Sequence, residues 1–548
     1  MQHGTIPPAR LEMLWGRLRS AAAEQAATLV RTAFSSVVRD MHDYACSIFD
    51  ARGRLLAQPD TNTPGLSCSM GRMLAHMLRH CPPATLVPGD VLASNDPWEA
   101  TGHHNDITIY TPVFHAGEIV GYTASAAHHV DIGGRRADMM SRDNYEEGLR
   151  IPVCKLYRAG EPNADVFAFI RANVRSAETV IGDVRAQVAA NHVAARHLAA
   201  IVAELGPDGF LQLADEIIGR SRALMLATVR VLPKGRFATR QVIPNVFGQT
   251  IEICVAVEIT HDGFVVDFAG SSPQRPVAIN STLAFTTSYS LFAIYTILNL
   301  QVPISEGIVS CLSVHAPEAS IVNARFPAPV FGRTLVGTLI PEMIYRALAP
   351  ALPDRVMASS GATPVLLQNF FGRFRDGRPF SALNAMSGGT GARAAQDGLS
   401  CRFFPVNLTN IPAELLESEL PMIVERRAFA PNSAGAGEYR GGLGGELAFR
   451  VLSGELGPAD GVDLRVRGGR CHPVSGLFGG EAAGQFRILL NGQEMPKEWP
   501  GAMLQPGDRV ELFTPGGGGF GDPRQRDRQA IADDAAQGLV TTLPPDTV

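Results

Sequence analysis

The stretch DITIYTPVFHAGEIVGYTASAAHH, residues 106–129, decides how the first part of the chain folds. Two runs rich in β-branched and aromatic residues flank HAGE, residues 115–118, and this pattern predicts two strands joined by a turn. The preceding run DVLASND, residues 90–96, has the same character. Three neighbouring strands of one sheet are therefore expected between residues 90 and 129.

Around these strands, the N-terminal part has helical and hairpin patterns. Apolar residues recur at steps of three and four from Pro8 to about Val38, which predicts an amphipathic helix. The segment CSIFDARGRLLAQ, residues 46–58, is typical of a hairpin. SMGRMLAHMLRHC, residues 69–81, predicts a short helix that ends before two prolines.

Further along, the chain changes from helical to β-rich. A long helical stretch is predicted from Asp165 to about Ala227, with a break at Gly206–Gly209. The segment IEICVAVEITHDGFVVDFAG, residues 251–270, predicts a hairpin around an Asp-Gly turn. Beyond about Pro421, short β-elements with Gly-Gly turns lead to a glycine run and a short polar helix, RDRQAIADDAAQ.

These patterns predict an α+β protein, with a mixed N-terminal α/β region followed by a β-rich C-terminal region. We expect four segments along the chain. They are an α/β region with a candidate metal site (1–164), a helical segment (165–232), a mixed α/β region (233–420) and a β-rich region with a Gly-rich end (421–548).

Composition restricts the class of protein. The net charge of -5 and the charged fraction of 18% argue against a nucleic-acid surface. The chain has no run of about 18 apolar residues, so no membrane-spanning helix is predicted. The N-terminus lacks the apolar core of a signal peptide. The eight cysteines are scattered without a CxxC pair, so we expect a cytoplasmic protein with reduced thiols.

Two histidine doublets carry the strongest chemical signal. His103–His104 precede Asp106, and His128–His129 precede Asp131. Imidazole and carboxylate suit divalent transition metals. Neighbouring side chains of a strand point to opposite faces, so each doublet offers one histidine to a shared site and the other to supporting contacts or packing. The alternative is four histidines that are ordinary polar residues.

Long motifs around these doublets resemble the hydantoinase B/oxoprolinase family, and the resemblance extends over essentially the whole chain. The motifs are GDVLASNDPWEATGHHNDITIYTPVF (89–114), GEIVGYTASAAHHVDIGG (117–134), EEGLRIPVCKLYRAGEPN (146–163), GDVRAQVAAN (182–191) and TPGGGGFGDP (514–523). Two positions depart from the family pattern. Leu66 stands where the family often has a histidine, and Asn105 replaces the usual proline before the motif aspartate.

The resemblance implies a metal site. By motif, the ligands would be His103, Asp106 and His128, holding one divalent transition metal, either Mn, Zn or Fe. Supporting or substrate-contacting roles are then expected for His104, His129, Asp131, Glu147 and Arg150. For Glu147 and Arg150 an ordinary surface ion pair is the alternative. Asp96 is expected to form a turn, and Asp43 to be a buried structural carboxylate.

Two further features are ambiguous in the sequence. The glycine run TPGGGGFGDP either cradles an anion with its N–H groups or forms a tight packed turn, and we favour the packed turn. Arg465, Arg467 and Arg470 either form a subunit contact or lie on a solvated face, and we favour the solvated face.

No GxxxxGK[ST] phosphate loop is present, so no nucleotide site is predicted in this chain. The resemblance implies that a hydantoinase A-like partner binds ATP and phosphorylates the substrate. The expected function is therefore the metal-dependent subunit of an ATP-dependent cyclic amidohydrolase in a hetero-oligomer. One alternative is a subunit of an ATP-dependent ketone carboxylase of the acetone or acetophenone type, and another is a non-catalytic scaffold.

Overall fold

The strands of this α+β protein form four sheets in the residues that the structure describes, which are 6–468, 473–497 and 499–541. The structure is a computed structural model, and it confirms the predicted fold class. The helices are α1 Pro8–Thr32, α2 Ser36–Arg39, α3 Pro64–Ser67, α4 Met70–His80, α5 Ala164–Asn173, α6 Ala177–Arg230, α7 Leu283–Leu298, α8 Glu306–Val309, α9 Thr334–Gly337, α10 Ile340–Leu348, α11 Ala413–Glu419 and α12 Arg528–Ala536.

The strands follow the same order along the chain. They are β1 Tyr44–Asp50, β2 Leu55–Ala57, β3 Val91–Ser94, β4 Asp106–His115, β5 Glu118–His128, β6 Cys154–Arg158, β7 Glu161–Pro162, β8 Gly235–Val246, β9 Gln249–Ile259, β10 Phe264–Asp267, β11 Leu312–His315, β12 Leu366–Phe374, β13 Pro379–Met386, β14 Met422–Phe429, β15 Gly445–Val451, β16 Pro458–Arg467, β17 Arg487–Leu490, β18 Gln493–Glu494, β19 Gly501–Leu504 and β20 Arg509–Phe513.

The first sheet holds the strands that the histidine doublets flank. Its order is β2-β1-β5-β4-β3-β6-β7, and each neighbouring pair is antiparallel. The three strands predicted between residues 90 and 129 and the β1–β2 hairpin are confirmed. The predicted helix over 69–81 is confirmed as α4.

A bulge sets the register of the two central strands. Asp106 lies opposite His128, and this register continues as far as Val113 opposite Gly121. It then shifts, because Phe114 pairs with Ile119 and leaves Val120 as the extra residue. Residues directly opposite in an antiparallel pair share one face of the sheet. The bulge therefore places His128, rather than Ala127, beside Asp106.

Two long helices cover one face of this sheet. Leucines of α1 pack with Ile48 and with residues of α6 in one buried cluster. On α6, the amides of Gln187 and Asn191 donate to the carbonyls of Ile107 and Ile109 on β4. The predicted break is confirmed, because Gly206 has a φ of 72° and interrupts α6. The first predicted helix ends earlier than expected, at Thr32.

The later strands form three smaller sheets. Their orders are β11-β10-β9-β8, β13-β12-β16-β19 and β14-β15-β20-β17-β18. The β9–β10 hairpin and the polar helix α12 agree with the sequence analysis. Strand β12 pairs with β16, so this sheet draws on residues from both sides of position 421. The four segment boundaries stay predictions.

The glycine run is a packed turn, as favoured from the sequence. The N–H groups of Gly516, Gly517, Gly518 and Gly519 donate to the backbone carbonyls of Ser433, Gly442, Ser359 and Glu481. All four donors are therefore satisfied inside the protein, which leaves the anion cradle unsupported. A Cβ added at Gly517 would lie 1.8 Å from the carbonyl oxygen of Thr390.

Among the described residues, no helix is long and apolar enough to cross a membrane.

We expect Gly517→Ala to destabilise the protein. Its Cβ would collide with backbone, which cannot rotate away, and overpacking of this kind costs about 1–3 kcal/mol. Thermal unfolding measures the effect as a lower Tm. Gly219→Ala is the matched control, because Gly219 lies in α6 with open space around its Cα, and helical alanine is favoured over glycine. An equal Tm for both variants would contradict the packing of this turn.

Candidate metal centre

His103 and Asp106 come together because the chain bends just before β4. The Nε2 atom of His103 lies 2.8 Å from Oδ1 of Asp106. The bend is held at Asn105, whose side chain donates to the carbonyl of His129 while its own carbonyl accepts from the N–H of His129. Gly102 has a φ of +90° and lies against Arg333, and a side chain there would meet Cδ of Arg333 at 2.5 Å. The bend therefore needs glycine at this position.

His128 completes the cluster from the neighbouring strand. Its Nδ1 atom lies 2.9 Å from the same Oδ1 atom of Asp106. The rings of His103 and His128 are 4.9 Å apart. One ligand atom from each of the three side chains lies within 4.8 Å of the others, and all three residues are buried. Two imidazole nitrogens and one carboxylate oxygen thus face one another as a cation site requires.

Burial and neighbouring charges hold His103 and Asp106 in the protonation states that bind a metal ion. Burial and then the positive charge of Arg333 lower the pKa of His103 well below its ordinary value, so its ring is neutral at physiological pH. Burial raises the pKa of Asp106, but the neighbouring His103 and Arg333 outweigh this and hold it well below its usual range. A neutral imidazole beside an ionised carboxylate is the form in which both bind metals.

Arg333 is a functional candidate that the sequence analysis missed. Its Nη2 atom donates to Oδ2 of Asp106 at 2.8 Å, and its Nε donates to the carbonyl of Thr101. Its guanidinium also lies over the ring of Phe285, at 4.3 Å from the centroid. The residue precedes α9, over 200 positions from Asp106 in the chain. No local motif marks it, because its partner is brought to it only by folding.

Asp43 also faces the cluster. Its Oδ2 atom lies 3.9 Å from Nδ1 of His128, and burial raises its pKa. A narrow cavity of about 40 Å³ separates the groups, with Asp43, His103, His128, Arg333 and Arg467 in its lining. Leu66 lies in the same lining, at the position where the family pattern has a histidine. Asp43 is only partly buried, with a side chain that is 16% exposed, which differs from the buried carboxylate expected from the sequence, and its location next to His128 makes it a candidate ligand.

The favoured solvated face is wrong for Arg467. This residue is 4% exposed, and its guanidinium lies 4.2 Å from the centroid of the Phe331 ring. Burial lowers its pKa to about 9. Arg465 is half-exposed and donates to Asp463, in keeping with the favoured interpretation. Arg470 lies outside the described residues.

The second members of the doublets lie away from the cluster. For His129 this agrees with strand alternation at the end of β5, whereas His103 and His104 lie in the bend before β4 and not in a strand. Nε2 of His129 lies 3.2 Å from the side-chain oxygen of Gln187 on α6. His104 is buried on its own side, where burial first and then the charge of Arg150 lower its pKa to about 4. Asp131 accepts from the N–H groups of Gly133, Arg175 and Ser176 and from the side chain of Arg175, so it ties the end of β5 to the start of α6.

Glu147 and Arg150 do not form the ion pair considered from the sequence. Arg150 pairs with Asp96 at 2.5 Å. Asp96 also accepts from the N–H of Trp98, which confirms the predicted turn. Glu147 is buried and accepts from the N–H groups of Val330 and Phe331 and from Asn144. Because Phe331 contacts His103 and Arg467, Glu147 fixes the segment that packs against the candidate centre.

The chain belongs to the hydantoinase B/oxoprolinase family, whose model matches residues 7–523. Among curated relatives, the β subunit of caprolactamase from Pseudomonas jessenii is 30% identical over 98% of this chain and 94% of its own length. A protein from Pseudomonas sp. that is named as one subunit of a D-/L-hydantoinase is 26% identical, covering 98% of this chain and 93% of its own length.

Solved structures share the fold. The crystal structure of ATP-dependent caprolactamase from Pseudomonas jessenii superposes with a TM-score of 0.89 at 29% identity, covering 98% of this chain and 95% of the other. A nucleotide-free acetone carboxylase structure gives a TM-score of 0.86 at 21% identity, covering 97% of this chain and 78% of the other. At that identity, the second likeness concerns the fold alone.

Glu147 should make stability depend on pH in a defined direction. Burial raises its pKa from 4.5 to about 7 in the folded protein. Between these values the folded protein binds more protons than the unfolded chain, so Glu147 makes the free energy of unfolding fall as pH rises. Glu147→Gln cannot titrate, and the fall across this window should be smaller in the variant. Denaturant unfolding at a series of pH values measures the slope.

The control for this prediction is Glu161→Gln. Glu161 is exposed on β7, so its replacement should leave the pH dependence as in the wild type. A Glu147→Gln variant whose slope equals that of the Glu161→Gln variant would show that Glu147 has the same pKa in both states.

Proposed function

We propose that this chain is the metal-dependent subunit of an ATP-dependent enzyme that hydrolyses cyclic amides. The observation that carries the proposal is the convergence of His103, Asp106 and His128 in a member of this family. A scaffold has no need of three buried ligand groups at one point. The relatives named for hydantoinase and caprolactamase support the choice of a cyclic amide as the substrate class.

The donor set fits one divalent transition metal, either Mn, Zn or Fe. Two nitrogens and one oxygen are typical of catalytic sites, which use about three protein ligands and leave a position open. Nδ1 of His103 is buried and has no hydrogen-bond partner among the described residues, so it could carry the ring proton when Nε2, which faces Asp106, binds a metal. Asp43, whose Oδ2 lies 3.9 Å from Nδ1 of His128, is our candidate fourth ligand.

The surrounding residues would orient this set. A bound divalent ion supplies Lewis acidity, which polarises a carbon–oxygen bond and acidifies water. Arg333 holds Asp106 in place through Oδ2 and leaves Oδ1 directed at the two imidazoles. Phe331 lies beside the ring of His103, and Leu66 and Leu408 complete an apolar wall that limits the access of water.

We infer that ATP is bound by a hydantoinase A-like partner rather than by this chain. The sequence has no GxxxxGK[ST] motif, and both curated relatives compared above are named as subunits. The partner would phosphorylate the amide oxygen, because an amide is otherwise a poor electrophile. The activated substrate would then be hydrolysed at the centre in this chain. We place the hetero-oligomer in the cytoplasm, in keeping with the seven free cysteines of the described residues.

The proposal is tested with the co-purified complex. ATP turnover and product formation would be measured over a panel of lactams, hydantoins and ketones, the ketones with bicarbonate. Hydrolysis of a cyclic amide coupled to ATP use is the expected result. Carboxylation of a ketone would replace water by bicarbonate as the second substrate and would overturn the assignment. Equal turnover by a complex with the intact chain and by one that carries the changes His103→Ala and Asp106→Ala would indicate a scaffold.

Metal content should separate the two members of the second doublet. Purified protein is expected to hold about one metal ion per chain. His128→Ala should lose the metal and abolish product formation, because His128 faces Asp106. His129→Ala should keep the metal, with activity reduced about 10–100-fold, because His129 contacts Gln187 instead. Elemental analysis and product assays on both variants measure this.

A double variant gives the reference for complete loss of the bound metal. His103→Ala combined with Asp106→Ala removes two of the three proposed ligands and should leave no bound metal. Unchanged metal content in this variant would place the ion elsewhere. If His128→Ala kept the metal and His129→Ala lost it, the assignment of these two histidines to the faces of β5 would be wrong.

The isolated chain should neither bind nor hydrolyse ATP. The reason is the absence of a phosphate loop from its sequence. Calorimetric titration of the chain alone, compared with the complex, measures this. Tight ATP binding by the isolated chain would contradict the proposed division of labour.

A further inference from the structure

Arg467 is a buried guanidinium beside the candidate metal centre. Its side chain lines the cavity next to His103 and His128. Among the described residues Nε has no hydrogen-bond partner, and Nη1 makes one long bond of 3.4 Å to the carbonyl of Phe331. In the part of the chain that the structure describes, Arg467 forms no ion pair with any carboxylate. A buried arginine is normally paired, because leaving a charge unpaired away from water is costly.

The other charges of the cavity are already committed. Asp106 accepts from Arg333 through Oδ2 and faces both imidazoles through Oδ1. Asp43 lies next to His128. With Asp106 paired to Arg333, the charges of the lining that remain are the guanidinium of Arg467 and the carboxylate of Asp43. A bound divalent cation would leave this cavity with an excess of positive charge, which an anionic group of the ligand would offset.

Phe331 holds the guanidinium of Arg467 from one side. The guanidinium lies over the Phe331 ring at 4.2 Å from its centroid, and the segment that carries Phe331 is held by Glu147. The N–H groups that do not contact Phe331 are left for other hydrogen bonds. The edge of a guanidinium is a planar fork of N–H donors that matches the two oxygens of a carboxylate or a phosphate.

We propose that Arg467 anchors an oxyanion subsite beside the His103–Asp106–His128 cluster. The ligand group is a carboxylate or phosphate oxygen pair of the reacting molecule, bound at the edge of the guanidinium. The proposal rests on the proposed function and defines its substrate more closely. The oxyanion comes either from a carboxylate that belongs to the cyclic amide or from the phosphoryl group that the partner adds.

Anion binding by the full-length purified chain tests the subsite without any need for activity. Inorganic phosphate and acetate would be titrated separately by calorimetry at constant ionic strength. The wild type is compared with Arg467→Met, which keeps an unbranched apolar stem and removes the charge, and with Arg467→Lys, which keeps the charge and removes the fork. Arg465→Met is the matched control, because Arg465 lies two positions away on the same strand and is already paired with Asp463.

We expect the wild type and Arg465→Met to bind phosphate, acetate or both with equal affinity. Arg467→Met should weaken binding about tenfold or more, and Arg467→Lys less, because a charge-assisted pair of hydrogen bonds is lost. Tighter binding of phosphate supports the phosphoryl source, and tighter binding of acetate supports a carboxylate substrate. Thermal unfolding verifies that each variant is folded. If Arg467→Met does not fold, the anion affinity of Arg467→Lys tests the subsite instead.

Wild-type affinity in a folded Arg467 variant would overturn the subsite, as would a wild-type chain that binds neither anion. Metal content measured on the same samples separates this result from the proposed function. It should be unchanged in the Arg467 variants, because Arg467 is not among the ligand groups. A chain without metal whose phosphate affinity still depends on Arg467 would contradict the metal centre and support the subsite.

Discussion

The carboxylate of Asp106 is the group around which the centre is organised. It is fully buried, and a buried carboxylate is stable only when its oxygens are paired. Its partners come from three separate parts of the chain: His103 from the preceding bend, His128 from the neighbouring strand, and Arg333 from the start of α9. Pairing Asp106 therefore fixes the first sheet, its entry loop and α9 relative to one another.

A second layer of contacts holds these partners in position. Glu147 accepts from two successive backbone N–H groups and so fixes Phe331, which packs beside His103 and under Arg467. Arg467 belongs to β16, whose partner β12 also contributes Leu367 to the cavity. The C-terminal β-rich part thus completes a cavity whose candidate ligand groups lie in the N-terminal sheet and in the bend that precedes β4.

Much of the local structure is predictable from the sequence. The apolar, β-branched and aromatic runs and the helical pattern over residues 46–129 correspond to the observed β1 to β5 and α4. Continuous apolar runs mark these strands because most of their residues are buried on both faces of the sheet. The bend at Asn105 and the opposite directions of His128 and His129 follow from the spacing of the residues and from strand alternation. The glycine run is also interpretable, since closely packed backbone admits no side chain.

The sequence by itself thus determined the strands, the paired doublets and the residue types that suit a metal. Only the tertiary structure decided which groups meet. The bulge at Val120 shifts β5 by one residue and brings His128 opposite Asp106, and a one-residue shift reverses every side chain of a strand. Arg333 and Arg467 reach the cavity from distant elements, and no local pattern records a contact between residues so far apart. Burial then decides their chemistry, because it leaves Arg333 paired with Asp106 and Arg467 without a carboxylate partner among the residues that the structure describes.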